Sequence, residues 1–298
     1  MSADSLIQAT ASLYGLLVGD ALGSQFFVPA NRQALSDRTL PPGPWQWTDD
    51  TEMACSIYRV LVDTGQVDQN LLARSFAERH DFDRGYGPAT NRMLRLVREG
   101  GNWRELASGL FDGKGSWGNG AAMRVAPVGA WFAYNLPRTA AQARLSAEVT
   151  HTHPEAAAGA IAVAVATAVN SSGSVPSPGR FIDQVLDHTP RGMVRDGIVQ
   201  ARRLLTIGDP VTAARVLGNG RAVSAHDTVP FTIWAAARNL DDYATAFWTT
   251  AAAGGDIDTT CAIVGGIVGV RAAPPAAWLR SCEPPAAWAN VPEPGKTD

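Results

Sequence analysis

This chain of 298 residues has few cysteines and little net charge. Its three cysteines, Cys55, Cys261 and Cys282, are widely spaced, so they make no C-x-x-C pair and no disulfide framework. A formal net charge of −3 gives no field that would attract nucleic acid or an anionic membrane surface. These absences favour a location in the reducing cytoplasm, with no membrane partner and no strong nucleic-acid signal.

We expect neither a signal peptide nor a membrane span in this chain. The first five residues carry no basic side chain ahead of the first apolar stretch, which argues against a signal peptide. The longest apolar run, residues 156–169, is rich in alanine and too short to cross a bilayer. We expect this alanine-rich run to be a core helix. The chain can bury a large core, because 46% of its residues are hydrophobic.

Strand patterns are nearly absent as well. No stretch sustains an alternation of apolar and polar residues, and the β-branched residues mostly fall at helical spacing, so we expect an all-α single domain. Six prolines follow Ala273, and we expect residues 1–275 to form the domain and 276–298 to be an extended or disordered tail. Helices are predicted near residues 6–22, 50–64, 68–80, 89–99, 154–170, 179–187, 193–206, 210–217, 226–239 and 241–252, and from 258 onward.

Two segments indicate a functional site most strongly. In each, acidic and hydroxyl side chains lie at the start of an apolar helix. One is Gly254–Thr260, with Asp256, Asp258 and Thr259; the other is Trp47–Glu52, with Thr48, Asp49 and Asp50. Either segment alone fits an ordinary helix cap. Together they supply more hard oxygen ligands than two caps need, and such ligands suit Mg²⁺ or Mn²⁺. If they face each other across a pocket, they could hold two metal ions.

A glycine-rich loop, Phe111–Gly120, leads into another short helix. Such a loop can turn several backbone N–H groups toward a phosphate, although it lacks the Gly-Lys-Ser/Thr of a P-loop and could equally be a flexible connection. Its aromatic residues Phe111 and Trp117 favour binding of a flat base. His151 and His153 precede a helix, but their spacing and the following proline disfavour a zinc site.

These features resemble the ADP-ribosylglycohydrolases, the family that includes dinitrogenase reductase-activating glycohydrolase and the animal ADP-ribosyl-acceptor hydrolases. The motifs occur in family order between about residues 10 and 272, and the glycine-rich loop is closest to the branch that acts on serine-linked and poly(ADP-ribose). The matching segments are Gly19–Gly23, Trp47–Thr51, Arg84–Gly87, Gly115–Arg124, Thr150–His151, His226–Pro230 and Gly254–Thr259.

The resemblance implies a compact orthogonal multi-helix bundle with a binuclear Mg²⁺ or Mn²⁺ centre. It implies a hydrolase that cleaves the glycosidic bond between ADP-ribose and a protein side chain or small molecule, and we expect a monomer. By the same resemblance, Asp49, Asp50 and Asp256 are the candidate catalytic residues. The implied metal ligands are Thr48, Asp49, Asp50, Asp256, Asp258 and Thr259, and the implied substrate-binding residues are Phe111, Gly115, Ser116, Trp117, Gly118, Asn119 and His151.

One position departs from the family pattern. Many members carry a glutamate four residues after the second glycine of Gly-Asp-x-x-Gly, where this chain has Phe27. A phenyl ring cannot transfer a proton, so either Asp49, Asp50 or Glu52 takes that role, or the protein binds ADP-ribose with little or no hydrolysis. For Asp20 we expect a capping or hydrogen-bonding role, and for Glu52 a place in the acidic first turn of its helix. A metal-free helical scaffold is a third hypothesis, but it would leave buried aspartates unpaired.

Overall fold

The computed structural model describes residues 3–293, and their regular structure is helical. Isolated β-bridges join Trp45 to Cys282 and Gly118 to Ser224, but the described range contains no strand. The prediction of an all-α single domain is confirmed. The α-helices, α1 to α18 in chain order, are Ala3–Ser24, Arg32–Asp37, Asp49–Thr64, Gln69–Arg79, Pro88–Arg98, Trp103–Ser108, Leu110–Gly113, Gly120–Met123, Ala126–Trp131, Leu136–Glu148, Pro154–Ser171, Pro178–His188, Met193–Arg203, Pro210–Leu217, Ala225–Ala237, Tyr243–Ala251, Ile257–Gly269 and Ala276–Ser281.

Helices α1 and α17 form an antiparallel pair whose backbones touch along a row of glycines. A Cβ at Gly15 would lie 2.2 Å from the carbonyl oxygen of Gly265, and a Cβ at Gly19 would lie 2.1 Å from that of Cys261. Only glycine permits this approach. The pair places the C-terminal half of α1 beside the first turn of α17, where Asp258 lies.

Helix α1, continued to Phe27, is also the one helix of residues 3–293 that is long and apolar enough to cross a membrane. Within its most apolar window, 72% of the residues are buried inside the protein. Its apolar side chains therefore pack as those of a core helix.

The alanine-rich helix α11 supplies the other centre of the core. Its residues 156–169 are all buried, as expected from the sequence, and α8, α9, α10, α12 and α15 pack around it. At its end the Asn170 side chain donates to the carbonyl oxygens of Leu240 and Ile267, both at 3.0 Å. This buried amide links α11 to α17 and to the segment after α15.

The C-terminal segment differs from the sequence expectation. Residues 276–293 are folded against the domain, with α18 carrying the buried Trp278. The Trp45 N–H donates to the Ser281 carbonyl at 2.7 Å, and the Glu283 N–H donates to the Trp45 carbonyl at 2.8 Å. The proline content suggested an extended or disordered tail, but apolar residues between the prolines bury against the core. Residues 294–298 lie outside the described residues.

Candidate active site

Asp20 of α1 joins the first turn of α3. Its carboxylate accepts from the backbone N–H groups of Thr48 and Thr51, at 2.9 and 3.1 Å, and from their hydroxyls, at 2.8 and 2.6 Å. Thr48 is the N-cap residue of α3 but makes no side-chain cap of its own. The fully buried Asp20 therefore caps this helix from outside, which is the role expected from the sequence.

Asp20 also belongs to a carboxylate cluster that sequence reasoning missed. Oxygen atoms of Asp20, Asp50 and Asp258 all lie within 4.8 Å of one another, an arrangement that could hold a metal ion. The motif Gly19–Gly23 was visible in the sequence, but the approach of α1 to α17 that brings Asp20 into the cluster was not.

The two acidic segments meet in this cluster. The Asp50 Oδ2 atom lies 3.0 Å from the Thr48 hydroxyl and 3.4 Å from the Thr259 hydroxyl, so α3 and α17 contribute polar groups to one centre. The other oxygen of Asp50, Oδ1, is buried without a hydrogen-bond partner. A buried carboxylate oxygen without a partner is costly unless a cation binds it.

The pKa values of the clustered carboxyls are all raised. Burial, followed by the charge of Asp20, raises the pKa of Asp49 to about 8. Burial and neighbouring carboxylates raise the pKa values of Asp50 and Asp258 well above their usual range, and burial raises those of Asp20 and Asp256.

Within residues 3–293, no lysine, arginine or histidine forms an ion pair with these five carboxyls. The donor set of hard oxygens, together with the unpartnered Asp50 Oδ1, therefore fits a divalent metal such as Mg²⁺ or Mn²⁺.

Asp256 lies at the edge of this cluster, where it contacts the glycine-rich loop. Its Oδ2 accepts from the Asn119 amide at 2.7 Å, and its N–H donates to the Asn219 carbonyl at 3.0 Å. A Cβ at Gly220 would lie 2.5 Å from the Asp256 Cβ. The loop of residues 218–224 therefore packs over the acidic segment, a neighbour that the sequence did not reveal.

The glycine-rich loop pairs with the residues that precede α15. The Ala225 N–H donates to the Trp117 carbonyl at 3.0 Å, and the Asn119 N–H donates to the Val223 carbonyl at 3.4 Å. Gly115 has φ +73°, and a Cβ there would lie 2.1 Å from the Thr152 hydroxyl oxygen. Ser116 is buried and accepts from the Gly118 N–H at 3.2 Å.

The two aromatics of the loop have different surroundings. Trp117 is 50% exposed, and its ring meets those of His153 and His226 edge-on at 5.6 and 5.8 Å. Phe111 has φ +52° and lines a separate cavity of about 350 Å³ between α5 and α6. Among residues 3–293 no ring contact joins Phe111 to Trp117, so the structure does not show them flanking one base together.

His151 lies beneath the same loop. Burial and then the charge of Arg124 lower the pKa of His151 to about 3, so its imidazole is neutral near pH 7. Its Nδ1 atom lies 2.7 Å from the Thr150 hydroxyl.

A groove of about 440 Å³ adjoins the acidic cluster on the side of Asp49. A Cβ at Gly85 would lie 3.8 Å from the Asp49 Oδ1 atom. Arg84 stacks over the Trp47 ring at 3.4 Å and donates twice to the Glu283 carboxylate, each time at 2.8 Å. The lining residues are Ser24, Gln25, Val28, Gln46, Trp47, Thr48, Asp81, Asp83, Arg84 and Gly85.

Phe27 is 50% exposed and is not among the residues that line this groove. Glu52 is buried and accepts from the Tyr86 hydroxyl at 2.6 Å and from the Asp81 N–H at 3.1 Å. Glu52 therefore holds the loop of residues 81–86 in place, so its two protein partners give it a structural role.

Known proteins resemble this chain over most of its length. The family model for ADP-ribosylglycohydrolase matches residues 1–292. The human ADP-ribosylhydrolase ARH3 is 30% identical over 95% of this chain and 91% of its own. The ADP-ribosylarginine hydrolase Tri1 of Pseudomonas putida is 30% identical over 49% of this chain and 42% of its own.

A solved structure described as an ADP-ribosylglycohydrolase-related protein complex superposes with a TM-score of 0.70. It has 25% sequence identity and covers 97% of both chains. The whole-chain match, the shared fold and the acidic cluster agree with the resemblance seen in the motifs. The chain belongs to the ADP-ribosylglycohydrolase family.

Proposed function

We propose that this protein is a metal-dependent hydrolase that cleaves the glycosidic bond between ADP-ribose and a protein side chain or small-molecule acceptor. The observation that carries the proposal is the cluster of the buried Asp20 and Asp50 with the half-buried Asp258, together with the Asp50 Oδ1 atom that has no hydrogen-bond partner. The names of the similar proteins, which are ADP-ribosyl hydrolases, support the same reaction.

Two Mg²⁺ or Mn²⁺ ions are the proposed cofactors. Thr48, Asp49 and Asp50 would hold them from α3, Asp256, Asp258 and Thr259 from α17, and Asp20 from α1. When bound, these metals would supply Lewis-acid polarisation of a water and of the ribose hydroxyls next to the scissile bond. They would also neutralise carboxylates that lie close enough to raise one another's pKa values.

The glycine-rich loop is the proposed site for the diphosphate of ADP-ribose. Gly115, Ser116, Gly118 and Asn119 would supply backbone and small polar groups to a phosphate that approaches the main chain, and Gly118 is the partly exposed one of the four. The Asn119 amide donates to Asp256, so the loop and the acidic cluster have a fixed separation. Trp117 offers an exposed ring for the base, and Phe111 offers a second ring farther along the loop.

The groove beside Asp49 is the proposed site for the acceptor that leaves. Cleavage at the anomeric carbon passes through an oxocarbenium-like state. A carboxyl group at the groove could take a proton from the attacking water or give one to the departing acceptor. We assign that role to Asp49, because its Oδ1 atom would lie 3.8 Å from a Cβ at Gly85, one of the residues that line the groove. In that role Asp49 would supply the proton transfer that Phe27 cannot.

A second candidate function is an ADP-ribose reader with little or no hydrolysis. Phe27 favours it, because residues 24–28 contribute no carboxylate to the groove. General acid–base assistance is worth roughly 10²–10⁴-fold in rate, so an unfilled role would leave a slow enzyme.

The test is release of ADP-ribose from three substrates, with and without added Mg²⁺ or Mn²⁺. The substrates are an ADP-ribosyl-arginine protein, an ADP-ribosyl-serine peptide and O-acetyl-ADP-ribose. Metal-dependent release from any of them supports the hydrolase and names its linkage. Tight ADP-ribose binding without release from all three supports the reader.

We further propose that the protein acts as a monomer in the cytoplasm. Its three cysteines are free in the structure, and two of them are buried, which suits a reducing compartment. Light scattering coupled to gel filtration tests the monomer, since a dimer would double the mass of 31.5 kDa.

A further inference from the structure

A line of three buried polar side chains runs beneath the glycine-rich loop. The guanidinium of Arg124 donates from Nη2 to the Thr150 hydroxyl at 2.8 Å, and that hydroxyl lies 2.7 Å from His151 Nδ1. Arg124, Thr150 and His151 are 0%, 1% and 6% exposed. Water therefore cannot readily replace any of these hydrogen bonds.

The direction of each hydrogen bond follows from the chemistry of the groups. A guanidinium has donors and no acceptor, so the Thr150 oxygen accepts from Arg124. The hydroxyl proton of Thr150 then needs an acceptor, because a buried donor that makes no hydrogen bond is costly. Among residues 3–293, the acceptor available to it is His151 Nδ1. That nitrogen consequently carries no proton.

The single proton of the neutral imidazole then lies on Nε2. A Cβ built at Gly118 would be 3.1 Å from Nε2, and one built at Gly120 would be 3.0 Å away. No protein group in residues 3–293 accepts a hydrogen bond from this nitrogen. The Nε2–H group therefore faces the two loop glycines, where a side chain would cover it.

We propose that Arg124 and Thr150 are positioning residues that hold His151 in the Nε2–H tautomer, so that it donates a hydrogen bond to a phosphate oxygen bound on the glycine-rich loop. The identity of that ligand rests on the proposed function, whereas the tautomer does not. The low pKa of His151 agrees with the neutral form. An imidazolium there would add a positive charge beside Arg124, while the neutral ring keeps a directed donor.

The first experiment is long-range ¹H–¹⁵N NMR of ligand-free protein labelled at its five histidines, near pH 7. The His151 signals are assigned by comparison with His151→Gln. We expect a pyridine-like Nδ1 and a protonated Nε2 in the wild type. A protonated Nδ1, or a doubly protonated ring, overturns the proposal whatever the variants do.

Two variants then test Thr150, with thermal melts to confirm their folding. Thr150→Val has nearly the same shape without the hydroxyl, and we expect it to populate the other tautomer and to lower ADP-ribose affinity about tenfold or more. Thr150→Ser keeps the hydroxyl and should match the wild type in both respects. An unchanged tautomer in Thr150→Val overturns the role of Thr150. A changed tautomer with unchanged ADP-ribose affinity overturns the donor role of His151.

The two arms separate this inference from the proposed function. If the wild type binds no ADP-ribose, the proposed function and the phosphate ligand both fail, and the NMR spectra still decide the positioning chain. If ADP-ribose is released but His151 is the Nδ1–H tautomer, the positioning chain alone fails.

Discussion

At the scale of single residues, the side chains proposed to contact the ligand differ from the side chains that hold the site together. Asp50 and Trp117 present groups without a full set of protein partners, an orphan oxygen in one case and a half-exposed ring in the other. Glu52 instead accepts two hydrogen bonds from the protein, donated by the Asp81 N–H and the Tyr86 hydroxyl. Partner count distinguishes the two groups more clearly than residue type does.

Replacing Trp117 with alanine should weaken ADP-ribose binding by about 1–3 kcal/mol, the usual worth of stacking a base on an aromatic ring. Isothermal titration calorimetry measures the change. Tyr134→Ala is the matched control, because Tyr134 is 73% exposed and lies outside the site. Equal affinity in the Trp117 variant and the control would remove Trp117 from the binding site.

His151 should make stability depend on pH in acid. Its folded-state pKa is lowered to about 3, so the unfolded chain, with a pKa near 6.5, binds the proton first as pH falls. Stability contributed by the neutral ring is complete above pH ~6.5 and should decline by about 2 kcal/mol at pH 5. Urea unfolding of the wild type and His151→Gln at several pH values measures it; a stability difference that stays constant between pH 7 and 5 would contradict the lowered pKa.

At the scale of secondary-structure elements, the glycine contact between α1 and α17 determines the site. Gly15, Gly19 and Gly23 let the two helices approach until backbone meets backbone. That approach brings Asp20 to within reach of Asp258. A larger residue in this row would separate the carboxylates as well as the helices.

Gly19→Ala should therefore destabilise the protein by about 1–3 kcal/mol or more, because its Cβ would overlap the Cys261 carbonyl. Gly208→Ala is the control, since a Cβ there meets no atom within 4 Å, and its effect should stay within about 0.5 kcal/mol. Chemical unfolding of both variants gives the comparison. Equal stabilities would mean that the helices can move apart at little cost.

Helices were the part of the fold that could be predicted from sequence, because apolar spacing and caps are local signals. Asp68, Asp209 and Asp242, for example, each accept hydrogen bonds from the first turn of the helix they precede. The place of Asp20 in the cluster and of residues 218–224 over Asp256 could not be predicted in this way. Both depend on contacts between residues far apart in the chain, on which periodicity is silent.

At the scale of the whole molecule, the C-terminal segment packs against the domain and extends to the groove beside Asp49. Trp278 packs against Tyr243, Phe247 and Trp248, with ring centroids 5.4 to 6.2 Å away. Glu283 then pairs with Arg84 at the edge of the groove. The segment is therefore part of the domain and also supports the loop that borders Asp49.

Trp278→Ala should cost about 3–5 kcal/mol of stability, as expected for deleting a buried aromatic side chain. Trp288→Ala, in the same segment but only partly buried, should cost about 1 kcal/mol. Thermal and urea unfolding of both variants would show the difference. Two equally small losses would restore the picture of a loosely attached tail.

The central claim is that the buried carboxylates bind divalent metal, and calorimetric titration of Mn²⁺ into metal-free protein tests it most directly. We predict saturable binding of two ions to the wild type, weakened at least tenfold by Asp50→Asn, which removes the charge of the carboxylate whose Oδ1 atom has no hydrogen-bond partner. Asp187→Asn, at an exposed site on α12, should bind like the wild type. Absence of saturable binding to the wild type, or equal binding by Asp50→Asn, would contradict the metal centre.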